Sequence, residues 1–129
     1  MTSLAAVVAA LIFVAMAAFQ ASLAAGAPLG AHVLGGGHPG TLPIRLRVFS
    51  GIAAVLLLGF AVVVLARARA IDSPAGAAGL LVVGCWVVVG FLVLNTLGNL
   101  ASNSRLERIL FAGTTAVLAA LSAFVALMA

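Results

Sequence analysis

The sequence predicts an all-α fold, a bundle of four transmembrane helices in a multi-pass membrane protein. Every charged side chain falls outside four apolar runs, residues 4–25, 48–66, 75–97 and 109–128, and none of these contains Asp, Glu, Lys, Arg or His. Each run exceeds the ~18 residues that, at about 1.5 Å per residue, cross a hydrocarbon core of roughly 30 Å. Hydrophobic residues make up 66% of the chain and charged residues 6%, against about half and about 25% in soluble domains, so no water-facing surface can be built. Helix follows because a lipid-exposed backbone must satisfy its own hydrogen bonds, and these runs are about twice the length of barrel strands.

In the first run, Gly26, Pro28 and Gly30 provide the stop. The small residues Ala21, Ser22, Ala24, Ala25 and Ala27 loosely match a signal cleavage site, but the run opens without Lys or Arg and is long enough to span. Pro43 stands where a first helical turn would begin the second run, and Arg67 and Arg69 fall in its last turn, at the negative end of the helix dipole. Asp72 and Ser73 before Pro74 read as an N-cap with proline at the first position of the third helix. Ser104 and Glu107 have the spacing of a capping box opening the fourth. Small residues let membrane helices approach closely, and Ala17, Ala21 and Ala25 predict one packing stripe, with Ala116, Ala120 and Ala123 a second. Such stripes also suit self-association or a membrane-protein partner, besides contact with the lipid bilayer.

Four spans put both termini and the link after residue 66 on one side, and loops 26–47 and 98–108 on the other. Arg45, Arg47, Arg105 and Arg108 lie in those two loops, against Arg67 and Arg69 opposite. The positive-inside rule then predicts that these loops are cytoplasmic and the termini outside.

Charge-free spans argue against a proton pump or ion relay, which need ionisable groups in the bilayer. The formal charge of +4 is dispersed at span ends rather than gathered in a basic patch, which predicts no nucleic-acid partner. Cys85 is the only cysteine, so no intrachain disulfide forms, and it is expected to pack inside the third span. Asp72 and Glu107 fall on opposite membrane faces, lysine is absent, and no Gly-x-Ser-x-Gly elbow occurs. Neither paired-carboxylate, phosphate-cradling nor nucleophilic catalysis is expected. His32 and His38 have no carboxylate or thiolate companions, so no metal or other cofactor is expected either.

The unusual residues gather at the four-arginine face. One loop there carries Gly26, Gly30, Gly35, Gly36, Gly37 and Gly40 with both histidines, and reads as a flexible connection or a lid. The end of the third run brings Asn95, Asn99 and Ser102 onto one helical face, followed by Ser104, Glu107 and Arg108. Amides in a span hydrogen-bond across helices or line a wet cavity, so the strip is expected to point inward, as interhelical glue or as a polar vestibule roofed by the Gly-rich loop.

Two segments, Gly26-Ala27-Pro28-Leu29-Gly30 leading through Gly35-Gly36 to Leu42-Pro43 and Leu46-Arg47, and Asn99 through Ser102, Ser104, Glu107 and Arg108, carry a family likeness. There the chain resembles the uncharacterised small four-helix integral membrane proteins of actinobacterial type. The resemblance implies the four-helix layout and brings no activity with it. Two functions are expected to compete: a structural or accessory protein that binds a lipid or a partner, and a small channel or carrier for a neutral or anionic solute. The second would use Asn95, Asn99 and Ser102 with arginines at the mouth.

Overall fold

The computed structural model describes all 129 residues and holds four helices, α1 (Thr2–Ala24), α2 (Ile44–Arg67), α3 (Ala78–Leu100) and α4 (Ala112–Met128); α1, α2, α3 and the continuous segment Glu107–Met128 that contains α4 are each long and apolar enough to cross a membrane. A π-helical turn, Glu107–Phe111, leads into α4, and its Ala112 N–H reaches back five residues to the Glu107 carbonyl. The chain is therefore built as a multi-pass membrane protein.

Sequence and backbone agree at the first helix end. α1 closes in a Schellman motif, with Gly26 N–H donating to Leu23 O and Ala27 N–H to Ser22 O. α2 closes the same way on a non-glycine residue, Arg69, at φ 57°. Its other end opens directly after Pro43. The third helix departs from expectation. It begins at Ala78 rather than at Pro74, because Ala77 N–H turns back to Pro74 O and Gly76, at φ 81°, stands outside the helical region.

The antiparallel pairs α1–α2 and α3–α4 pack most closely, and α1 touches α4. The main core joins Ala6, Ala9, Phe13 and Ala17 of α1 to Leu57, Phe60 and Val64 of α2, Cys85 and Val88 of α3, and Leu118 and Val125 of α4. Of the predicted alanine stripes only Ala17 is buried; Ala21, Ala25, Ala116 and Ala120 face outward and Ala123 is half-buried. Small residues do form the α1 interface, Ala6, Ala9, Ala10 and Ala17, but a row spaced strictly by four turns about 40° per step away from that face, which leaves Ala21 and Ala25 outside it. Arg67 crosses to α4, donating to the Ala126 carbonyl at 3.2 Å, a cation at the negative end of that helix as well as its own.

α2 and α3 diverge along their length. They meet at Gly84, where a Cβ would lie 3.2 Å from Val63, and part toward the other end, where Phe49, Ser50 and Ala53 of α2 and Leu94, Asn95 and Gly98 of α3 line a common cavity. The bundle is thus closed at the face holding the termini and open at the opposite one.

A roofed cavity as candidate functional site

The Gly-rich loop folds over the open end as two short 3-10 turns, Gly30–His32 and Leu34–Gly36. Buried Val33 and Leu42 pack on Leu23 of α1 and form a small second core beside Phe19, Leu46 and Phe111. Gly30 lies so close to the returning strand of the loop that a Cβ there would sit 1.8 Å from the His38 carbonyl oxygen, and its N–H donates to Gly40 O at 2.8 Å. Only glycine fits.

Glu107 clamps this roof to the bundle. Its carboxylate accepts from Leu34 N–H at 2.6 Å and Gly35 N–H at 3.2 Å, and from the Ser102 hydroxyl. Consecutive amides converge on one carboxylate because Leu34 and Gly35 both hold positive φ, 49° and 78°. Ser104 completes the attachment by donating to the His32 carbonyl at 2.6 Å. The capping box is therefore half formed: Ser104 Oγ accepts from Glu107 N–H at 3.4 Å, but Ser102 Oγ, not Glu107, accepts from Ser104 N–H at 3.0 Å. The side chain that local pattern assigns to the cap is drawn instead to a loop more than 70 residues away.

Beneath the roof lies a cavity of about 890 Å³, within the range of small-molecule sites. Val33, Leu34 and Gly35 cover it, and most of its wall is apolar. Phe19 and Phe111, edge to face at 5.1 Å, stand on the α1–α4 side. Phe91, edge to face with Phe60 at 5.0 Å, sits at the floor, with the packed core below. Phe49 of α2 and Leu94 of α3 line the remaining side and are 57% and 72% exposed, so the cavity opens sideways between these helices. From Phe49 to Leu57 along α2, or Phe91 to Asn99 along α3, the rise is about 12 Å, close to the ~15 Å of one leaflet's hydrocarbon.

The residues singled out in the sequence divide between the cavity and its surroundings. Asn95, Asn99, Ser102, Glu107 and Gly35 line it. Asn99 donates to Asn95 at 3.2 Å, and neither amide bonds to another helix. The polar tie between α3 and α4 is instead Thr96 to Thr115, hydroxyl to hydroxyl at 2.8 Å. Ser104 and Gly36 belong to the roof's attachment and inner packing, while Gly37 stands at the exposed edge of the loop. His32 and His38 project outward. The arginines do not line the cavity. Arg47 donates to Ala24 O at 3.0 Å, Arg108 to the Ser102 and Asn103 carbonyls at 2.9 and 3.0 Å, and Arg45 and Arg105 are exposed.

Four polar lining residues were missed by pattern alone, Gln20 of α1, Ser50 of α2, and Thr114 and Thr115 of α4. Ser50 is the one polar side chain of its apolar run and Gln20 the one amide of its own, which was the available signal. Cys85 is buried, with its Sγ 3.8 Å from the Ser122 carbonyl. Comparison with protein-family models, curated proteins and solved structures finds no match to this chain.

Proposed function

We propose that this protein is an accessory protein of the bacterial cell membrane that holds a membrane amphiphile in its roofed cavity. The carrying observation is the cavity's form: largely apolar, one leaflet deep, covered at the membrane face and open sideways between α2 and α3. A ligand arriving within the bilayer meets an open side, whereas one arriving from water meets the clamped loop. The same geometry speaks against a channel. Below the cavity Phe13, Phe60, Val64, Cys85 and Val88 fill the bundle, and the arginines that would draw an anionic solute make carbonyl bonds or point outward. In this reading the roofed end is cytoplasmic, as the arginine distribution favours, and kinship with the actinobacterial-type group remains part of the proposal.

Native mass spectrometry of protein purified in mild detergent tests the reading. The expected result is co-purified lipid on the natural protein and at least a tenfold lower occupancy in Gly98→Leu, a substitution at a residue that lines the cavity and where a Cβ meets nothing within 4 Å. Equal occupancy in the two proteins, or anion or solute flux through liposomes containing the natural protein, would overturn it.

A further inference from the structure

We infer that the polar end of the cavity selects an amphiphile with an uncharged hydrogen-bonding head, a hydroxyl or ester carbonyl as in an acylglycerol, over anionic lipids. The inference rests on the amphiphile-binding reading above and names the class of ligand. Four side chains carry it: Gln20, Ser50, Asn95 and Asn99 all line the cavity. Ser50 is 2% exposed, and neither its hydroxyl nor the Gln20 amide takes part in a side-chain hydrogen bond. The Asn95–Asn99 bond uses one donor and one acceptor of the pair and leaves the rest free. Gln20 lies four residues from the end of α1, Ser50 six from the start of α2 and Asn95 five from the end of α3. They therefore form a band about 6–9 Å inside the helix ends. At that depth hydrocarbon offers no partner, and an unpaired amide is costly, so the occupant must bring donors and acceptors of its own.

Charge decides which head fits. Among the lining residues Glu107 alone carries a charge, and the surrounding arginines turn elsewhere. An anionic head would enter beside a carboxylate with no cation to offset it, which is disfavoured where the dielectric is low. The hydroxyls and ester carbonyl of an acylglycerol head offer both donors and acceptors to these neutral side chains with no such conflict.

The test is competition for delipidated protein in an uncharged detergent, with a fluorescent monoacylglycerol displaced by monoolein, oleate or dioleoylphosphatidylglycerol. Monoolein is expected to bind at least tenfold tighter than either anionic competitor, and Asn95→Leu with Asn99→Leu to weaken it about tenfold while leaving the thermal midpoint in place. Gln20→Leu serves as an independent variant should the double substitution impair folding, and the same loss is expected. Equal or tighter binding of the anionic competitors, or unchanged monoolein binding in the polar-to-leucine variants, would overturn the selectivity and leave amphiphile binding intact. If the tracer and all three competitors fail to bind, both inferences fall.

Discussion

Removing the Glu107 carboxylate strips the acceptor from two backbone amides and the Ser102 hydroxyl at once. Hydrogen bonds to a charged acceptor contribute about 1.5–3 kcal/mol each, and the freed amides recover part of that by meeting water at the membrane surface. Glu107→Ala should therefore destabilise the protein by about 2–3 kcal/mol. The Leu34 and Gly35 amides should lose hydrogen-exchange protection while the spans keep theirs; Glu107→Gln, which retains one acceptor oxygen, should fall between. Gly30→Ala makes a sharper prediction, because its Cβ meets two backbone carbonyls, His38 O at 1.8 Å and Gly40 O at 2.6 Å. Backbone cannot yield as a flexible side chain does, so a loss of at least about 2 kcal/mol is expected in denaturation, with helical content unchanged. At this scale the sequence was partly legible. Spacing by four and three placed Asn95, Asn99 and Ser102 on one face because helix geometry is local. The partner of Glu107 was not legible, since a contact across more than 70 residues leaves no periodic trace and the nearby Ser104 offered a sufficient local explanation.

Among the elements, the four spans were plain, because length and uninterrupted hydropathy suffice in a solvent that forbids open backbone. Their ends were less so. Pro74 suits a first helical turn, but Gly76 breaks the backbone two residues later and moves the start of α3 to Ala78. The alanine stripes failed for a different reason: alanine is abundant on every face, and a row spaced strictly by four drifts about 40° per step off the face that carries Phe13, packed edge to face on Phe60 at 6.0 Å. The end of α2 carries a prediction of its own. Arg69 holds φ 57° in the position where a Schellman motif favours glycine, at a cost of about 1 kcal/mol for a residue with a Cβ. Arg69→Gly should raise stability by about that amount, read as an upward shift of the unfolding midpoint, because its N–H bond to Ala66 O involves only the backbone.

For the whole molecule the governing feature is an asymmetry along the membrane normal. One half is a filled bundle in which Phe13, Val64, Cys85, Val88 and Val125 exclude any occupant. The other half is held apart by the divergence of α2 and α3, roofed by a loop that Glu107 and Ser104 fasten, and edged with neutral polar groups. In a protein with no Asp, Glu, Lys, Arg or His in its apolar runs, the neutral polar groups that face open space lie in this cavity, and the sideways opening sets what can reach them. The direct test is photo-crosslinking in a bilayer with a monoacylglycerol bearing a diazirine on its chain, followed by peptide mapping. Labelling concentrated on Phe49, Ala53, Phe91 and Leu94, and removed by Gly98→Leu, is the predicted result. Labelling spread evenly over outward-facing residues such as Leu4, Leu80 and Leu127, and unchanged in that variant, would contradict the account.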